Sequence, residues 1–190
     1  MKRRKIFSIA VILFVVLFGG LAMTAAAKEK ESKESGKKAK IDSAAKEVMA
    51  KLFEKSPDAK NLYNKAYGYA VFTATKVTVG ASGGGGRGVA IEKANGKRTY
   101  MKMATGGVGV GLGAQRTEFV FLFETKEAFN SFVVKGWGGG AGASAAAGTA
   151  GANARVDFKN GVAVFQFSKA GFVASADVSG TRYWKDDDLN

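Results

Sequence analysis

From Tyr69 to Phe123 the apolar residues recur mostly at every second position, and the run Gly106–Ala114 is the clearest case. There Val108, Val110, Leu112 and Ala114 alternate with Gly107, Gly109, Gly111 and Gly113. A period of two fits an extended strand and no helix. One face of such a strand is apolar and the other bears no side chains, an arrangement suited to places where a backbone, a ring or a ligand must come close. Gly107, Gly109, Gly111 and Gly113 are therefore expected to form a close-packing face. Of the 26 glycines, 19 lie between Gly80 and Gly151, which makes close approach a property of the middle of the fold.

The same alternation predicts two strands at Ala70–Phe72 and Val77–Ala81. It also predicts a hairpin joining Val89–Lys93 to Lys97–Met103 through Asn95-Gly96, and a second joining Ala154–Phe158 to Val162–Phe167 through Asn160-Gly161. Phe119–Phe123 is an unbroken apolar run, as in a strand buried on both faces. Phe172–Val178 reads as the last strand, and the small residues after Trp137, up to Ala154, as strand and loop packed on a neighbour. Helical spacing appears after Asp42 and Ser43, in Val48, Met49, Leu52 and Phe53. It recurs after the cap Ser56-Pro57, in Leu62, Tyr63, Ala66 and Tyr67, up to Gly68. Thr125 can cap a short helix carrying Phe129, Phe132 and Val133 that ends at Gly136. The expected class is α+β, with N-terminal helices packed on a strongly curved, largely antiparallel, Gly-rich sheet that is barrel-like or sandwich-like.

An expected address in the envelope comes only from the first 27 residues, where basic Lys2–Lys5 precedes the apolar run Ile6–Met23 and the Ala25-Ala26-Ala27 cleavage site. These features read as a signal peptide, residues 1–27, with an uncleaved anchor as the alternative. Residues 28–41 are rich in Lys, Glu and Ser and read as a disordered polar tether, which leaves 42–190 as the folded domain. The formal charge of +13 falls to +9 once the four cations of Lys2–Lys5 leave with the signal. An exported basic protein is expected to meet anionic surfaces. There is no cysteine, so neither a disulfide nor a thiol-linked lipid can form, and no histidine, so the usual general base and metal ligand are missing.

Gly83, Gly85 and Gly88 fit G-x-G-x-x-G, and Gly109, Gly111 and Ala114 fit its looser form, but a hairpin turn or another strand follows each where a nucleotide site needs a helix. Ser43-Ala44-Ala45-Lys46 fits S-x-x-K without the companion motifs and reads as a helix start. Asp186-Asp187-Asp188 reads as a solvated acidic end, so no metal is expected. No enzyme activity, cofactor or nucleic-acid partner is expected.

Tyr67–Phe72, Gly83–Gly88 with Arg87, Tyr100–Met103, Gly106–Gly113, Phe121–Phe123 and Thr181–Trp184, taken in order, resemble the SYLF domain family over about Asp42 to Asn190, and its exported bacterial branch most of all. The resemblance implies non-catalytic binding of lipid or of an anionic membrane surface. Eukaryotic relatives bind phosphoinositide-type headgroups, and yeast relatives with an SH3 domain also bind actin. The alternative is a structural envelope protein that binds another protein or a polysaccharide. Arg87, Lys97, Arg98, Tyr100 and Lys102 are the candidate lipid contacts; Arg98, Tyr100 and Lys102 share one face of a strand displayed by the Asn95-Gly96 hairpin.

Overall fold

A computed structural model of the chain describes residues 3–138, 157–168, 171–174 and 180–190. It divides into two units, 1–39 and 40–190. Helix α1 is assigned as Arg3–Lys55. Residues 28–41, expected as a disordered tether, are thus helical. Their composition explains this: Lys and Glu are good helix formers, no proline interrupts them, and Glu29–Lys33 at 2.6 Å and Lys30–Glu34 at 3.8 Å pair one turn apart.

In the second unit α1 presents Ala45, Val48, Met49 and Leu52 on one face, all buried. Helix α2, Pro57–Lys65, opens as its sequence dictates, with the Ser56 Oγ accepting from the Ala59 N–H at 3.2 Å and proline at the first position. Its last carbonyls are met by Lys93, whose Nζ donates to Tyr63 O at 2.6 Å, Asn64 O at 3.2 Å and Ala66 O at 3.0 Å. Burial holds this ammonium below the ordinary lysine range.

The sheet is antiparallel throughout, with β1 (Gly68–Glu92), β2 (Arg98–Phe123), β3 (Val162–Ser168) and β4 (Gly171–Ala174) in that order, while β5 (Thr181–Lys185) pairs with the first part of β2. The expected α+β class is found, and the sheet is not closed into a barrel. The two strands expected at Ala70–Phe72 and Val77–Ala81 are one, since β1 runs unbroken through the Gly83–Gly86 run. The Asn160-Gly161 turn has the positive φ angles of its type, 50° and 77°. In the first hairpin the loop is longer, and there only Gly96 takes a positive φ. Residues 139–156 and 175–179, where further small-residue and strand structure was expected, lie outside the described residues.

A register shift marks the middle of the long hairpin. Val79 pairs with Leu112 but Ala81 with Val108, so three residues of β2 stand opposite one of β1. Past this bulge the second half of β1 returns over the first. A Cβ on Gly84 would lie 2.6 Å from the Thr75 carbonyl oxygen, and Cβ atoms on Gly86 and Gly88 would lie closer still to the carbonyls of Thr73 and Val71. Three alternate glycines thus allow backbone to lie on backbone. This corrects the expected location of the close-packing face. A Cβ on Gly113 would meet nothing within 4 Å, and one on Gly107 would meet only Ser82 Oγ at 3.6 Å. These two belong to the bend, where no second layer among the described residues covers them; the surroundings of Gly109 and Gly111 lie outside the described residues.

Both faces of the sheet are filled. On one, α1 and α2 pack with Val71, Val89, Val120, Leu122 and Phe165. On the other, Phe72, Phe121, Phe123 and Tyr183 meet Phe129 of α3 (Lys126–Asn130) and Phe132 of the π-helical turn Ser131–Lys135 that continues it. Ring centroids there are 4.9 Å apart for Phe72–Tyr183 and 5.0 Å for Phe123–Phe132. The run Val120–Phe123 is fully buried on both sides, as its unbroken apolarity requires.

A pair of substitutions separates the two kinds of glycine. Gly86→Ala, which must displace backbone, is expected to lose about 1–3 kcal/mol or more, whereas Gly113→Ala is expected to be neutral or to gain about 0.5–1 kcal/mol, because glycine in a strand carries an entropic cost. Urea unfolding of the two variants beside the parent measures the difference.

Candidate functional site

Strand register brings three residues into one row. Arg87 of β1 stands opposite Lys102 of β2, and Lys102 stands opposite Trp184 of β5. Beneath Arg87 the neighbours Gly85 and Gly86 contribute no side chains, and a cleft of about 410 Å³ is lined by Gly85, Gly86, Arg87, Lys102, Met103 and Trp184. Two cations directly opposite each other repel, so this pairing needs an anion nearby. The chain provides one itself: Asp186, with a side chain only 1% exposed, lies 2.8 Å from Lys102 Nζ through Oδ1 and 3.4 Å from Arg87 Nε through Oδ2. Asp188 Oδ2 adds a second contact to Lys102 Nζ at 3.0 Å. Hydrogen bonds to Asp186 and then Asp188 hold the Lys102 ammonium above the ordinary lysine range.

The last residues are held by the backbone of Tyr100. Its N–H donates to Asn190 Oδ1 at 2.9 Å, and its carbonyl accepts from Asn190 Nδ2 at 2.8 Å and from the Asp186 N–H at 2.9 Å. Leu189 is buried between these contacts. Asp186 is therefore a structural member of the site, where the acidic end was expected to be solvated.

The five expected contacts do not form one patch. Arg87 and Lys102 meet in the cleft. Arg98 lies 3.6 Å from Asp42 Oδ2 of α1, and the Tyr100 hydroxyl donates to the same oxygen at 3.2 Å. Tyr100 is buried in the core beneath α1, and desolvation followed by the Asp42 charge raises its hydroxyl above the ordinary tyrosine range. It is a packing residue, and the expected shared face of Arg98, Tyr100 and Lys102 is divided at Tyr100. Lys97 is exposed in the hairpin loop, apart from the cleft row. Trp184, 42% exposed at the end of the row, is not among the contacts expected from sequence. The alternation of Thr181–Trp184 marks it as outward-facing, but only the pairing of β5 with β2 places it beside Lys102.

Residues 104–190 match the family model Ysc84, described as Las17-binding protein actin regulator. Beta cell expansion factor A of Aeromonas veronii is 37% identical over 149 residues, 78% of this chain. Both matches place the chain's similarity in the SYLF family. The chain spans 57% of the length of that relative. The family is one of binding domains, with a non-catalytic role of the lipid-binding or actin-binding type. The matched segment contains Lys102's partners Trp184, Asp186 and Asp188, but begins after Arg87 and Lys102 themselves.

Asp186→Asn removes the charge that holds two cations together. Its expected cost is about 1.5–3 kcal/mol, the range for hydrogen bonds to charged groups, read by urea unfolding at neutral pH. Because the folded Lys102 value is raised, its contribution is fully present below the ordinary 10.5 and disappears as pH rises through the folded value above it. The difference between parent and Lys102→Met should shrink over that alkaline window.

Proposed function

We propose that this SYLF domain binds an anionic membrane surface without catalysis, and that the protein is exported and works in the bacterial cell envelope. The observation that carries the reading is the row Arg87–Lys102–Trp184 across three strands, with an open cleft beneath it. Guanidinium and ammonium groups suit phosphate oxygens, while an exposed indole suits the boundary between headgroups and acyl chains. The net positive charge acts in the same direction over a longer range. Export rests on the basic, apolar and Ala-x-Ala order of the first 27 residues.

A protein partner is the second reading, favoured by the family description, which names Las17 and actin. Such a partner would take the same exposed basic row. Vesicle flotation separates the readings. The domain should bind vesicles of equal parts phosphatidylcholine and phosphatidylglycerol in preference to pure phosphatidylcholine, and should dissociate as salt rises. Arg87→Glu should weaken that binding by about thirtyfold, since each basic residue near such a surface contributes about 1 kcal/mol and reversal removes one attraction while adding a similar repulsion. Equal binding to both vesicle types at low salt would reject the membrane reading.

A further inference from the structure

The face of the β1–β2 hairpin on which Ala45, Val48, Met49 and Leu52 pack continues along the strands, and its side chains change character in steps. Val71 and its partner Val120 are buried under α1. Next come Thr73 with Glu118, then Thr75 with Arg116, a polar and charged girdle. Beyond the girdle the face is apolar again, in Val77 with Ala114 and Val79 with Leu112. Here the apolar residues face solvent: Val77 is 49% exposed, Val79 66% and Leu112 83%. Isolated exposed aliphatics are ordinary, but these occupy consecutive same-face pairs at the bend of one hairpin and form a patch.

The surroundings of the patch indicate what covers it. Arg116 stands at the girdle, 60% exposed, with Glu118 Oε1 3.4 Å from its Nε. On the inner side Arg116 shares a cavity of about 180 Å³ with Arg87, Lys40, Thr73 and Val71. On the opposite face Lys76 lies one residue from Val77. An apolar tip behind a collar of Arg116, Arg87, Lys40 and Lys76 matches the layering of an anionic bilayer, hydrocarbon below and phosphate above. From Arg116 to Leu112 the strand advances about 13 Å at about 3.3 Å per residue, comparable with the 5–10 Å or so to which interfacial elements sink.

We propose that the hairpin bend, through Val77, Val79, Leu112 and Ala114, is the element that enters an anionic lipid surface, with the girdle cations at the phosphate level. This rests on the membrane reading above and assigns it a penetrating element distinct from the Trp184 row. A second copy of the chain is the competing occupant of such a face.

The chain has no cysteine, so Leu112→Cys provides a single thiol for an environment-sensitive dye at a side chain whose replacement disturbs no packing. Vesicles of equal parts phosphatidylcholine and phosphatidylglycerol are the probe, read both by flotation and by dye emission. The expected result is flotation accompanied by a several-fold emission rise and a blue shift, with quenching by lipids that carry a spin label in the upper acyl chain. Leu112→Asp with Val79→Asp should keep the parent melting temperature and lose at least about tenfold in vesicle affinity, the scale of burying a large aliphatic side chain. Flotation with a water-like, unquenched dye overturns the proposal and leaves the membrane reading standing. Absence of flotation overturns both. A dye response that grows with protein concentration alone, and that vesicles do not alter, assigns the face to a second copy and overturns the proposal.

Discussion

Close approach of backbone to backbone along β1 is the constraint on which this fold depends. A strand of 25 residues exceeds what one layer of a small domain can use, and the chain folds it over at a bulge so that its two halves lie together. Only a strand without Cβ atoms can lie that near to another, and Gly84, Gly86 and Gly88 supply three such positions in succession. Everything else follows from the layered hairpin. It offers one face to α1 and α2, another to the phenylalanine cluster, and the outer edge of β2, to whose two ends β3 and β5 add.

The functional row is a product of the same fold. Arg87 lies within the glycine series, so its side chain stands over a floor without side chains, and β2 brings Lys102 opposite it. Neither residue would hold this position against the other's charge without Asp186, which arrives from the far end of the domain. The tail that carries Asp186 is fastened through main-chain contacts at Tyr100, whose ring lies in the core under α1. Site and core thus share a residue.

Much of this was legible in local sequence. The Ser56-Pro57 and Thr125 caps act where they were read, Asn160-Gly161 turns as its type demands, and Phe119–Phe123 lies inside on both faces, because each is decided by residues a few positions apart. What local sequence could not tell was which glycines meet a neighbour. Gly113 and Gly86 both sit in glycine-rich strand, yet only the second is opposed by another part of the chain, a fact set by the bulge between Val79 and Ala81. Residues 28–41 differ for a related reason: low apolarity is common to disordered tethers and to solvated helices, and Lys and Glu spaced four apart support the helix found here. Of the site, Arg87 and Lys102 were named, but the role of Tyr100 and the partnership with Trp184 and Asp186 depend on β5 lying next to β2.

The pairing of β5 with the beginning of β2 also has a large sequence separation, and closing it carries a loop-entropy cost. Hairpin β1–β2 closes over a short loop and can zip locally, whereas Thr105 meets Thr181 only after the whole intervening chain has been made and its ends brought together. The charges of Arg87 and Lys102 are thus neutralised by a contact of long sequence separation. Wherever the tail is undocked, both cations lose the carboxylate that pairs them and are left to the anions of the surrounding medium.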